Sequence, residues 1–198
     1  MLSPDDSLPA DAIISVMKRL LPQELRKRGP TPAETSQIAR NALILVVDNV
    51  MDTFNVGALF RLAEAVAVEK VYLCGQTPTP PNPRIHKAAV GTERWVPWEP
   101  CSDAVGLLKH LKADQPSLTI IAVEQDSRSI SYADLTVGLP SAVIVGHETR
   151  GLSPEILAQA DMIVEVPMYG VTRSLNVAAS AAIVLYKLLE QGGNPSSA

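Results

Sequence analysis

A chain of 198 residues with 46% hydrophobic and 19% charged side chains is long enough for one well-cored domain and too apolar for a disordered one. Its net charge of −4 excludes a protein that coats nucleic acid through bulk charge, while leaving room for local basic patches such as Arg26-Lys27-Arg28 and the scatter Arg84, His86, Lys87 and Arg94. No apolar run approaches the roughly 20 residues of a membrane span, the start MLSPDDSLPAD lacks a secretory n-region, and two cysteines with three histidines give neither a disulfide framework nor a zinc pattern, so a cytoplasmic, metal-free protein is expected.

Residues 1–40 differ in pattern from the rest. Ile13, Ile14, Met17, Leu20 and Leu21 recur at helical spacing, which predicts a short amphipathic helix over Ala10–Leu21. A basic, proline-punctuated segment follows to Arg40. We read 1–40 as an N-terminal helical extension, 41–192 as the main domain and 193–198 as a disordered tail.

From Ala42 the chain alternates. Leu43–Val47 is a continuous apolar strand of the kind buried on both faces of a parallel sheet. Val56–Val68 reads as a helix and Lys70–Cys74 as a strand. Pro78–Pro83 is a rigid loop, Trp95–Trp98 a weak strand, with Cys101 in a loop, and Asp103–Lys112 a helix. Leu118–Val123 and Ala142–Val145 are strands. Ser153–Ala160 is a helix opened by a Ser-Pro cap and first residue. Met162–Val166 is a last strand, closed by Pro167, and Asn176–Tyr186 a helix crowded with alanines, with Ser174 standing where an N-cap would stand. Strands alternating with helices predict an α/β fold with a mainly parallel sheet and helices on both faces.

Ligands of open α/β sheets collect at strand ends, and three loops leave such ends. In the first, Asp48–Arg61, Asn55 suits a helix cap, Gly57 permits close approach to the first turn, and Arg61 lies one turn further on the same face. The second is Gly146–Leu152, with two glycines flanking His147 and Glu148. The third joins the last strand to the alanine-rich helix. There is no GxGxxG and no phosphate-loop lysine, which disfavours a generic Rossmann nucleotide binder.

The trio NVGAxxR (from Asn55), GxExxGL (from Gly146) and PMxGxxxSLN (from Pro167), in that order and each after a strand, resembles the SpoU class of the SPOUT superfamily, the RNA ribose 2′-O-methyltransferases of tRNA and rRNA. The stretch TPTPPNPRIHKAAVGTERWVPWE, with its Lys87-x-x-x-Gly91 spacing, is similar to that of short stand-alone members. The likeness runs from about Ala42 to Glu190. It implies that 41–192 is a SPOUT methyltransferase domain whose C-terminal part is threaded into a deep trefoil knot, that the cofactor is S-adenosylmethionine, and that the protein works as a homodimer on RNA. Carried over by motif, Gly146, Val166, Met168, Gly170 and Leu175 are the expected cofactor-binding residues. Arg61, Asn55, Glu148, Ser174 and Asn176 match the catalytic polar positions.

Several roles stay open at this level. Arg61 is either the group that activates the ribose hydroxyl or a phosphate clamp, and guanidinium is a poor base. Ser174 is a catalytic contact, a cap, or both. Glu148 reads as a carboxylate tying loops together, and His147, where relatives carry asparagine or a small residue, as a satisfied loop histidine. Ala67 replaces a glycine frequent after the first helix. A catalytically idle RNA-binding or assembly module with the same fold is the alternative function.

Overall fold

The computed structural model describes residues 20–191. Most of the helix expected at Ala10–Leu21 falls outside them, and its last two residues, Leu20 and Leu21, are not helical. The tail 193–198 also lies outside. The basic segment before Arg40 folds into two short helices, α1 (Pro22–Lys27) and α2 (Pro32–Gln37), each with proline in its first turn. Arg28 joins them through a paired contact, its two terminal nitrogens each 2.7 Å from an oxygen of Glu34.

The body follows in the order β1 (Asn41–Asp48), α3 (Thr53–Ala65), β2 (Val68–Cys74), α4 (Pro83–Ala89), β3 (Trp98–Cys101), α5 (Ala104–Asp114), β4 (Thr119–Val123), β5 (Ile130–Ser131), β6 (Ser141–Val145), α6 (Pro154–Leu157), β7 (Met162–Glu165) and α7 (Val177–Gln191). The seven strands form one sheet in the order β3-β2-β1-β6-β4-β7-β5, and every pairing is parallel.

Alternation along β1 divides the core. Leu43, Leu45 and Val47 join a cluster with Phe60 of α3, Ile85 of α4 and Leu185 of α7. Ile44 and Val46 join the other, with Leu108 of α5 and Ile156 of α6. Helices therefore cover both faces, and the central strands have no solvated side. That is why they read as unbroken apolar runs.

Four elements depart from the sequence reading. The expected strand Trp95–Trp98 is displaced to Trp98–Cys101, behind a 3₁₀ turn at Thr92–Arg94. Trp95 is instead buried, with Arg28 stacked 5.4 Å from its ring centroid. Cys101 thereby lies in a strand, level with Cys74, and not in a loop. Residues after the proline loop form α4, opened by Asn82, whose side chain accepts from the amides of Arg84 and Ile85. The two-residue strand β5 left no periodicity to read.

Gly57 explains how α3 and α4 pack. A Cβ there would stand 2.5 Å from Ala88 Cβ and 2.9 Å from the Ile85 carbonyl oxygen. The close approach that Gly57 permits is thus that of a second helix, not of a ligand.

Candidate functional site

The carboxyl ends of β6, β4 and β7, adjacent in the sheet, open with the start of α3 into a cavity of about 860 Å³. This lies within the roughly 300–1,000 Å³ usual for small-molecule sites. Val145, Gly146, Glu148, Val166, Ser174, Leu175 and Asn176 line it, together with Asp52 and Asn55.

One hydrogen-bonded chain ties its three loops together. Glu148 accepts from the amides of Met51 (3.2 Å) and Asp52 (3.0 Å) and from Asn55 Nδ2 (3.0 Å). Asn55 Oδ1 accepts in turn from Asn176 Nδ2 at 2.8 Å. Asn176 Oδ1 accepts from the amides of Ala178 and Ala179, at 2.9 and 3.4 Å. Burial pushes the Glu148 carboxyl up, but the donors from Asn55 and the main chain outweigh it and hold the group below its ordinary pKa. Glu148 is therefore an ionised tie between loops, as its loop position suggested, and both of its oxygens are already engaged.

Two capping roles are corrected. Asp52, not Asn55, caps α3, accepting from the Phe54 amide at 2.8 Å. Asn55 sits inside the first turn, 5% exposed, with its side chain turned into the network. Helix α7 begins at Val177, so Asn176 is its cap. Ser174 lies in the exposed approach to it, on the cavity wall and without a hydrogen bond among the described residues. Asparagine serves as well as serine at a cap, and only the place where the helix starts decides between them.

Three predicted residues lie off the cavity wall. Arg61 is exposed on α3, six residues beyond Asn55 and so about 9 Å along the axis. Its side chain has no hydrogen bond or ion pair among the described residues. Met168 is half-buried. Gly170 has open space where a Cβ would stand, so nothing among the described residues demands glycine there. His147 is a satisfied loop histidine, its Nδ1 accepting from the amides of Thr149 (3.0 Å) and Arg150 (3.4 Å).

A fourth strand-end loop also contributes. Val123, the last residue of β4, and Glu124 and Gln125 after it lie on the wall. Glu124 Oε2 accepts from the Leu152 amide at 2.8 Å and packs against Gly151, whose φ of +66° and missing Cβ leave room for it. Gln125 donates to the Arg173 carbonyl at 2.8 Å, steadying the third loop. The available signal was a polar run directly after a predicted strand.

Apolar side chains (Val123, Val145, Val166, Leu175) beside carboxylates (Asp52, Glu124, Glu165) and two arginines (Arg150, Arg173) suit a nucleoside-sized ligand that carries charges of both signs. S-Adenosylmethionine, a sulfonium on an adenosyl group, fits that donor set. In open α/β sheets the crevice at the carboxyl ends of the strands is where ligands, nucleotide cofactors among them, are held.

A profile of the SpoU rRNA methylase family matches residues 42–186. The tRNA (guanosine(18)-2′-O)-methyltransferase of Aquifex aeolicus is 30% identical over 168 residues, which cover 84% of this chain and 78% of the relative. The crystal structure of the A. aeolicus TrmH/SpoU tRNA-modifying enzyme superposes with a TM-score of 0.69 at 29% identity, covering 86% of this chain and 81% of that one. An AdoMet-bound rRNA methyltransferase from Sinorhizobium meliloti shares the fold, with a TM-score of 0.67 at 22% identity over 84% of this chain and 59% of its own. The chain belongs to the SpoU methylase family. It is an RNA-modifying methyltransferase with S-adenosylmethionine as its cofactor, as the three motifs implied.

Proposed function

We propose that the protein methylates a ribose 2′-hydroxyl of tRNA, at a guanosine. The observation that carries this reading is the network joining Glu148, Asn55 and Asn176, which draws the three family motifs to one cavity. The substrate follows from the relatives named as tRNA guanosine 2′-O-methyltransferases, including one from Borreliella burgdorferi at 28% identity over 89% of this chain. The likenesses are to named methyltransferases, so the idle-module alternative draws nothing from them.

When bound, the cofactor supplies a methyl group already activated by its sulfonium, so catalysis reduces to aligning the ribose oxygen and removing its proton. Asn55 and Asn176 fix the loops that border the reacting centre. Arg61 clamps a phosphate through its planar guanidinium fork and so orients the ribose. Glu148 is no base, because its oxygens are engaged and its charge is stabilised.

The active unit is a homodimer. Phe54 at the start of α3, Tyr169 and Val171 in the third loop, and Tyr186 on α7 are large apolar side chains left exposed, which a second copy covers. Met168 and Gly170 contact cofactor or partner once that loop is packed. The C-terminal segment is threaded as a trefoil knot, a reading supported by α7 packing against the turn Tyr132–Asp134 in the crossover between β4 and β6. The site of action is the cytoplasm. Among the described residues no helix is long and apolar enough to cross a membrane.

The test is methyl transfer from labelled S-adenosylmethionine to total tRNA, followed by nucleoside analysis and sedimentation of the protein. A 2′-O-methylguanosine product and a dimeric species are expected. Cofactor bound with no 2′-O-methyl product would overturn the activity.

A further inference from the structure

Tertiary contacts bring together two basic stretches that lie far apart in the sequence. Trp95 Nε1 donates to the Arg28 carbonyl, 67 residues away, at 3.3 Å. Gly91, with φ of +95°, lets the Leu25 carbonyl at the end of α1 sit against it where any side chain would strike. Gly91 follows the C-cap of α4, Val90, and α4 leans on α3 through Gly57 and Ala88. Helices α1, α4 and α3 thus form one continuous surface.

Arg26, Lys27, Arg84 and Lys87 are exposed on it, and none of their side chains has a hydrogen bond or ion pair among the described residues. The neighbouring acids are engaged elsewhere. Glu24 accepts from the Leu21 amide at 2.8 Å, Glu34 is held by Arg28, and Glu64 lies in the field of Arg40. Glu93 is buried, with one oxygen 2.6 Å from His86 Nδ1. In a chain of net charge −4 this is a segregated cationic face. It runs up to α3, which carries Arg61 and whose first turn borders the cavity.

We infer that this face is a track for the phosphate backbone of the substrate RNA, leading the target nucleotide past Arg61 to the cavity. The inference rests on the activity proposed above. Unpaired arginine and lysine on packed helices match phosphates, which position a nucleic acid without reading its sequence. They also supply what the overall charge does not, a local attraction for a polyanion.

The test compares full-length wild type, Arg26→Gln/Lys27→Gln, Arg84→Gln/Lys87→Gln, the fourfold variant, and Lys109→Gln as a control on α5, across the sheet. Binding of an unmodified tRNA transcript is measured over a range of KCl concentrations, alongside cofactor affinity and steady-state methylation. Each phosphate contact removed is expected to lower the slope of log affinity against log salt by about 0.7–0.9, and the fourfold variant to bind roughly tenfold or more weakly. KM for RNA rises while kcat and cofactor affinity hold, and Lys109→Gln behaves as wild type. An unchanged slope overturns the track and leaves an acidic protein as the partner of this face. Equal loss in Lys109→Gln overturns it too, since affinity would then follow net charge. A wild type that binds tRNA but methylates none fails the proposed activity instead, and the binding arm still reads the surface.

Discussion

Asn55 donates to Glu148 at 3.0 Å across 93 residues of chain, and the same side chain accepts from Asn176 at 2.8 Å. One buried amide therefore couples the loop after β6 to the cap of α7. Replacing it by alanine strips a partner from both neighbours. Asn55→Ala is expected to lose about 1–3 kcal/mol of stability in urea denaturation, and to weaken cofactor binding through loosened loops. Unchanged stability would mean that the network is not closed in solution.

The same carboxylate gives a pH dependence. Glu148 is held below its ordinary 4.5, so it stabilises the fold above that value, and its contribution disappears as pH falls through the lower folded value. The stability gap between wild type and Glu148→Gln should be widest near neutrality and close in acid below about 4.5. A gap that ignores pH would refute the assignment of an ionised tie.

At Gly57 the first added carbon meets Ala88 Cβ at 2.5 Å and the Ala89 nitrogen at 2.8 Å. Two helices must part to admit it. Gly57→Ala should cost about 1–3 kcal/mol in thermal or urea unfolding while cofactor affinity of the folded fraction holds. Loss of cofactor binding at full stability would restore the ligand-approach reading of this glycine.

Arg61 and Leu175 separate chemistry from binding. Arg61→Ala, outside the cavity wall, should lower kcat by at least roughly 100-fold and spare cofactor affinity. Leu175→Asp places a charge on the apolar wall and should lose the cofactor itself. Equal cofactor loss in both variants, measured by calorimetry, would collapse the division of roles.

Ala67 holds φ at +47°, a left-handed conformation that costs a side-chain-bearing residue about 1–2 kcal/mol. Glycine pays part of that back in unfolded-chain entropy. Ala67→Gly is therefore expected to stabilise by about 0.5–1 kcal/mol, read as a rise in Tm. No rise would show that the turn is relaxed in solution.

The chain order of strands and helices was legible because strands buried on both faces write continuous apolar runs, as Leu43–Val47 does. The motifs likewise marked where the site had to be, since strand ends are followed by polar loops in any open α/β sheet. Sequence alone fixed the family and the ligand class through residue types at set spacings. Tertiary structure decided the roles. Whether Asn55 or Asp52 caps α3, and Ser174 or Asn176 caps α7, depends on where each helix starts, and neighbouring polar residues compete for that position almost equally. That Gly57 serves a helix pair, that Glu124 closes the cavity, and that Arg26 and Arg84 share a surface all follow from contacts between segments distant in sequence. Local patterning carries no trace of such contacts, because burial and charge segregation are properties of the packed chain.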